Sequence, residues 1–169
     1  GKTTLQNRLV KDLRFHRLVA TTTRQRRKNE EEGIDYYFEN EAAFLSTKER
    51  YLFQDQIFDN WYGLSYDILE VAATTKRPVV LVAKLFDLEV FRRFCDQILV
   101  VELISRDVNA LARGRKFASA RMLERLEMES NEQEAKNSDE TTFRFVVDDL
   151  NEEEVFNRLS EELSRRKIL

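Results

Sequence analysis

The chain opens on Gly1-Lys2-Thr3-Thr4, a glycine, a lysine and two hydroxyl residues set directly ahead of an apolar-periodic segment. This matches the second half of the pattern G-x-x-x-x-G-K-[ST], in which backbone N–H groups and the helix dipole hold a phosphate. In that pattern Lys2 reaches the β- and γ-phosphates of a nucleoside triphosphate and Thr3 holds Mg²⁺. A second group runs Thr21-Thr22-Thr23-Arg24-Gln25-Arg26-Arg27, then Glu30, then Gly33-Ile34-Asp35-Tyr36-Tyr37-Phe38. Two guanidinium groups three residues apart, with hydroxyls before them and a tyrosine beyond, can clamp one phosphate monoester by bidentate and O–H hydrogen bonds. Read by composition alone, the first group is an ordinary helix start and the second a solvated charged turn.

Both groups need elements to position them. Leu5, Leu9, Val10 and Leu13 keep a three-to-four-residue period, which predicts an amphipathic helix over 2–13. Residues 16–21 read as a short strand, 24–33 as a charged loop, 35–39 as a strand, and Asn40 as the cap of a short helix through Thr47. Strands follow at 51–58 and 61–65, and a helix from Ser65 to about Thr75. After Pro78 the continuous apolar run Val79 to Ala83 suits a strand covered on both faces, which implies a parallel sheet. The alternation continues with a helix at 87–94, a strand at 98–104, helices near 107–113 and 118–136, and a strand at 142–147. The last helix starts at Asn151, where Glu154 completes a capping-box spacing and Val155, Phe156, Leu159 and Leu163 form the apolar stripe.

Composition sets the limits. With 169 residues, 42% apolar and 12 Phe, the chain can build a single core, with one small inserted lobe at most. Four Gly and one Pro are few for an all-β protein. Its 28 basic and 31 acidic residues leave a net charge of −3, against binding of duplex nucleic acid by broad phosphate neutralisation. Single residues of Cys (Cys95) and His (His16) rule out an internal disulfide framework and a His-rich metal centre. No apolar run reaches membrane-span length and no signal-peptide pattern opens the chain, so a cytoplasmic setting is expected.

The Thr-Thr-Thr-Arg-x-x-Arg segment and the following Gly-x-Asp-Tyr-x-Phe resemble the nucleoside-monophosphate site of the guanylate kinase family, and the resemblance runs nearly end to end. Asn60-Trp61-Tyr62-Gly63 resembles its N-Y-Y-G turn, Arg113-Gly114-Arg115 the R-G-R of its mobile lid, and Arg125 the second arginine reaching the transferring phosphate. Val146-Val147-Asp148-Asp149-Leu150 resembles its V-N-D-D-L. The resemblance implies an α/β, three-layer P-loop kinase fold with a parallel sheet. Its core would be 1–23 and 64–169, with an acceptor lobe at about 24–63 and a lid at about 106–122. It implies Lys2, Arg24, Arg115 and Arg125 as catalytic groups, Gly1, Lys2, Thr3 and Thr4 on the ATP phosphates, and Thr3 toward Mg²⁺. Arg24, Arg27, Glu30, Gln54, Tyr36, Tyr62, Gly63 and Ser65 would hold the acceptor. Partners would be nucleotides, with neither duplex nucleic acid nor membrane. The upstream glycine and strand of the phosphate pattern would precede Gly1, so residues 1–169 alone are expected to be catalytically weak.

Base selection departs from the family. The resemblance implies a base-binding carboxylate on the strand before the turn, but counting back from Asn60 puts Phe53 there, with Gln54 and Asp55 beside it. The D-I-D strand motif corresponds to Val82-Ala83-Lys84, the hydroxyl residue after the turn glycine is Leu64, and the asparagine of V-N-D-D-L is Val147. Gln54, Asp55 or Asp87 would have to replace the lost contacts. Three readings follow: an ATP-dependent nucleoside-monophosphate kinase with GMP as default acceptor, a degenerate module that binds a phosphorylated ligand or protein without catalysis, and a kinase for another phosphorylated small molecule such as a sugar phosphate. The Gly-Lys-Thr start and lid arginines favour an ATP user.

Overall fold

The structure, a computed structural model, describes residues 1–57, 59–82, 88–95, 97–104, 142–146 and 151–169. It divides into two compact units, one of residues 2–94 and 166–169, the other of Gly1 and residues 95–165.

The larger unit begins with α1 (Lys2–Asp12), which buries Leu5, Gln6 and Leu9 on one face. Strand β1 (His16–Arg17) pairs in parallel with β6 (Val79–Val80), His16 opposite Val79. The expected strand over 16–21 is therefore split: Leu18 to Ala20 are buried between β1 and β2 (Thr21–Thr22), which belongs to a different sheet. The apolar run after Pro78 yields only a two-residue, half-buried strand among the described residues.

Four strands make the second sheet, in the order β3 (Tyr37–Phe38), β2, β5 (Asn60–Ser65), β4 (Tyr51–Ile57). β2 runs parallel to β3 and antiparallel to β5, and β4 and β5 form an antiparallel hairpin. Most of this sheet falls within residues 24–63, and it also takes in Thr21, Thr22, Leu64 and Ser65. Asn40 caps α2 (Glu41–Ser46) as its sequence predicts, its Oδ1 accepting from the Ala43 N–H at 2.8 Å. The helix sets the wholly buried Phe44 against one face of the sheet, stacked on Tyr51 at 4.3 Å between ring centroids and on Trp61 at 6.1 Å.

α3 (Tyr66–Thr74) follows, and a short α4 spans Leu88–Arg92. Beneath the sheet Leu18, Leu64 and Ala72 form a buried cluster, flanked by Phe53, Ile68, Leu69, Val79, Leu81 and Phe91. Leu64 is wholly buried there, which contributes on the order of 2 kcal/mol.

In the other unit β7 (Val100–Ile104) and β8 (Thr142–Val146) pair in parallel, Val100 opposite Thr142 through Ile104 opposite Val146. The last helix, α5 (Glu152–Arg165), starts from the expected capping box: the Asn151 N–H donates to Glu154 Oε2 at 2.8 Å and the Glu154 N–H to Asn151 Oδ1 at 3.0 Å. Val155, Phe156, Leu159 and Leu163 are buried along one face of it, the stripe read from the sequence. The lid expected near 106–122, the helices at 107–113 and 118–136, and residues 147–150 lie outside the described residues. No described helix is long and apolar enough to cross a membrane.

Candidate functional site

Strand alternation decides which side chains meet. Residues directly opposite each other across paired strands share a face, and successive residues alternate between faces. One row of the sheet reads Phe38, Thr22, Tyr62, Asp55; the next reads Tyr37, Thr21, Gly63, Gln54. The second row faces α2: a Cβ on Gly63 would stand 2.7 Å from Tyr51 Cδ1 and 3.0 Å from Phe44 Cζ. The first row therefore faces away from α2, and there the charged loop folds over it.

Arg24 follows β2 and turns back over that face. Its guanidinium carbon lies 5.5 Å from the centre of the Tyr36 ring and 5.9 Å from that of Phe38, within cation–π range. Nη2 donates to Glu30 Oε1 at 2.7 Å and Nη1 to the Gln25 carbonyl at 2.8 Å. The Arg24 N–H donates to Thr22 Oγ1 at 3.2 Å, and that hydroxyl donates to the Trp61 carbonyl at 3.0 Å. The wholly buried Thr22 thus joins the loop to the hairpin. Glu30 also accepts the Arg27 N–H at 2.8 Å, so one carboxylate fixes the head of Arg24 and the backbone of Arg27.

The electrostatics follow. Burial works against the Arg24 charge, but the hydrogen bond and charge of Glu30, with support from Tyr62, outweigh it and raise its pKa above the ordinary guanidinium value. Burial likewise disfavours the Glu30 carboxylate, and the hydrogen bonds from Arg24 and the Arg27 backbone overcome it, so its pKa is lowered. Burial, together with the Tyr62 hydroxyl, pushes Tyr36 up and keeps its O–H protonated as a hydrogen-bond donor. Tyr36 and Tyr62 meet edge to face with centroids 6.0 Å apart. The Arg27 side chain is 68% exposed, its nearest guanidinium nitrogen 3.9 Å from Glu30, which leaves its N–H groups available to a ligand. Two guanidinium groups and two phenols of one face can thus converge on a single oxyanion.

Of the residues expected at the acceptor, Arg24, Arg27, Glu30, Tyr36 and Tyr62 come together. Gln54, Gly63 and Ser65 do not: Gln54 and Gly63 lie on the opposite face, and the buried Ser65 ends β5 on that face as the start of α3. Asp55 is the β4 residue beside Tyr62, and it is exposed. Phe53 does not front the clamp; it lies opposite Leu64 and packs on Phe91 at 5.6 Å between centroids. Gly1, Lys2, Thr3 and Thr4 are all exposed at the first turn of α1, whose leading N–H groups have no partner within the helix. A contact the sequence did not reveal ties α1 to the charged loop: Arg17 donates through Nη1 to the Ile34 carbonyl at 3.2 Å and through Nη2 to Asn7 Oδ1. Arg113, Arg115, Arg125, Lys84 and Asp87 lie outside the described residues.

A small mixed sheet, parallel strand pairs and a Gly-Lys-Thr helix start are the features of an α/β P-loop kinase fold. Residues 1–166 match the family model described as guanylate kinase, and the chain belongs to the guanylate kinase family. A guanylate kinase of Hydrogenovibrio crunogenus is 36% identical over 84 residues, 48% of this chain and 41% of that protein. One of Myxococcus xanthus is 36% identical over 95 residues, 53% and 42% respectively. The chain thus spans about two fifths of the length of these curated relatives. The crystal structure of guanylate kinase from Anaplasma phagocytophilum shares the fold, with a TM-score of 0.69 and 23% identity over 98% of this chain and 81% of that one.

Proposed function

We infer that the protein transfers the terminal phosphoryl group of ATP to a phosphate monoester, a nucleoside monophosphate with GMP as the default acceptor, giving ADP and GDP. The observation that carries this reading is the Arg24, Arg27, Tyr36 and Tyr62 cluster braced by Glu30, in a chain that also keeps Gly1-Lys2-Thr3 at a helix start.

In such a transfer the protein does little covalent work; it aligns donor and acceptor and neutralises charge spreading over the phosphoryl oxygens. Arg24 and Arg27 hold the acceptor phosphate, with the Tyr36 and Tyr62 hydroxyls donating to the same oxygens. The exposed α1 start fits the donor phosphates: the N–H groups of its first turn and its dipole favour an anion, and Lys2 adds a cation. The Thr3 hydroxyl on the same turn suits a hard cation, and bound Mg²⁺ would neutralise donor phosphate oxygens. Arg115 and Arg125 are assigned to the transferring phosphate as lid groups.

The test is ADP release by the full-length protein with ATP, Mg²⁺ and GMP, beside Lys2→Ala and Arg24→Ala. Turnover reduced by orders of magnitude in both variants is the expected result. Absence of turnover in the parent, with phosphate-ligand binding retained, favours the module that binds without catalysis, a reading supported by the apolar Phe53 and Leu64 pair where base contacts were expected.

A further inference from the structure

We propose that Thr22 is a positioning residue for the acceptor phosphate: its buried hydroxyl anchors the root of Arg24 to the hairpin that carries Tyr62 and does not itself touch the ligand. The inference rests on the phosphate-acceptor reading above and says what holds the first arginine of that site in place.

The ladder between β2 and β5 ends with a side chain standing in for a backbone group. Thr21 and Thr22 pair with Gly63 and Tyr62, so the next pair along the antiparallel ladder is Thr23 and Trp61. The Thr23 N–H donates to the Trp61 carbonyl at 3.0 Å, as a ladder residue does, but the Trp61 N–H donates to Thr23 Oγ1 at 2.9 Å. With that bond made by a hydroxyl, the chain can leave the sheet after Thr23. Thr22 then catches it: Oγ1 accepts the Arg24 N–H at 3.2 Å, a contact two residues on that turns the backbone. The same hydroxyl donates to the Trp61 carbonyl at 3.0 Å, one residue before Tyr62.

A threonine hydroxyl has one proton to give. That of Thr22 is committed to Trp61 and the residue is wholly buried, so it has no donor left for a phosphate oxygen. The hydroxyls ahead of Arg24 read in the sequence as phosphate contacts; Thr22 acts on the arginine instead. Glu30 and Arg24 belong to one loop, so their ion pair fixes the guanidinium within that loop. The Thr22 bonds fix the loop to β5, the strand of Tyr62. Thr22 also stands between Phe38 and Tyr62 in one row of the sheet, on the face that Arg24 crosses. Valine in place of Thr22 keeps the shape and removes the oxygen. The Trp61 carbonyl would keep the Thr23 N–H, so the group left without its partner is the Arg24 N–H. The damage falls at the root of one clamp arginine.

The experiment measures kinetics of the full-length protein with ATP, Mg²⁺ and GMP, and calorimetric binding of GMP and of inorganic phosphate. The proteins are the parent, Thr22→Val, Thr22→Ser, and Asn40→Ala, which removes the α2 cap on the other side of the sheet. Thr22→Val should raise the acceptor KM and Kd about 5- to 50-fold and leave the KM for ATP within about twofold of the parent. Thr22→Ser, which keeps the hydroxyl, should bring the acceptor values back to within about threefold. Asn40→Ala should lower stability and leave acceptor binding unchanged. Added to Arg24→Ala, Thr22→Val should change the acceptor KM by less than about twofold, because the side chain it acts through is already gone. An unchanged acceptor KM in Thr22→Val overturns the proposal. So does a serine variant no better than valine, an equal rise for ATP or in Asn40→Ala, or a full effect on top of Arg24→Ala. If Thr22→Val does not fold, amide exchange in the parent decides. An Arg24 N–H held by a buried hydroxyl should exchange at least about tenfold more slowly than an open loop amide, and unprotected exchange overturns the proposal. GMP binding that depends on Thr22 in this way, without turnover, keeps the positioning role and removes the kinase reading. If neither GMP nor inorganic phosphate binds the parent, both fall.

Discussion

Glu30 holds the Arg24 guanidinium at 2.7 Å and, through its other oxygen, the backbone of Arg27 at 2.8 Å, so one largely buried carboxylate ties the two arginines of the loop together. The arrangement fixes the Arg24 guanidinium and the Arg27 backbone, and preorganised charge is worth more at a reacting phosphate than charge that must reorient. Two of the guanidinium contacts of Arg24 are internal, to Glu30 and Gln25, and its faces lie on Tyr36 and Phe38. Arg27 is the member left open to solvent.

On the proposed function, removing Arg24 takes away both a phosphate contact and the partner that keeps Glu30 satisfied. Arg24→Ala should lower kcat/KM for the acceptor by about 10²- to 10³-fold. Arg24→Lys should recover little, because an ammonium cannot reproduce the planar fork shared between Glu30, Gln25 and the ligand. Steady-state kinetics with varied acceptor, on protein shown to be folded by circular dichroism, checks both. Equal activity of the lysine variant and the parent would contradict the role of the fork.

The same pair sets an acid limit on stability. Glu30 has a folded pKa below its ordinary value of 4.5, so its stabilisation is fully present above pH 4.5 and is lost as the pH falls through the lower folded value. Thermal melts from pH 6 downward should show the parent losing stability below about pH 4.5 more steeply than Glu30→Gln, which has no proton to take up there. Parallel curves for the two proteins would remove Glu30 from the acid response.

Gly63 is required by space, with no call on a left-handed backbone. Its virtual Cβ lies 2.7 Å and 2.9 Å from the Tyr51 ring and 3.0 Å from Phe44. Gly63→Ala should destabilise by about 1–3 kcal/mol through overpacking, measured by urea unfolding. Adding Tyr51→Leu should return part of the loss; an additive double variant would mean that the clash is absorbed elsewhere.

At the other unit, Asn151→Ala removes a side chain that accepts the Glu154 N–H in the capping box. A loss of about 1 kcal/mol in unfolding free energy is expected, with acceptor KM unchanged. A rise in KM without a stability change would assign Asn151 a role at the site.

Much of this architecture was legible where the signal is local. The Asn40 cap, the Asn151–Glu154 box and the apolar stripe of α5 each depend on residues within a few positions, and each appears as read. That Arg24, Arg27 and Glu30 lie together was legible because all three share one loop. That Gln54 lies on the face opposite Tyr62 was not legible without the strand register. Ile57 pairs with Asn60, so two residues separate the strands, and counting outward from that turn puts Asp55, not Gln54, beside Tyr62. The Arg17 bridge had no such signal, since its partners stand 10 and 17 residues away and meet only in the fold. The break between Arg17 and Thr21 was also hidden: a continuous apolar run does not disclose that the chain changes sheet within it.

The most direct test of the central claim is a crystal structure of the full-length protein grown with GMP or ribose 5-phosphate. The phosphate is expected on the sheet face opposite α2, its oxygens within hydrogen-bond distance of the Arg24 and Arg27 guanidinium groups and the Tyr36 and Tyr62 hydroxyls. A phosphate bound elsewhere, with Arg24 still held by Glu30 and Gln25, would contradict it.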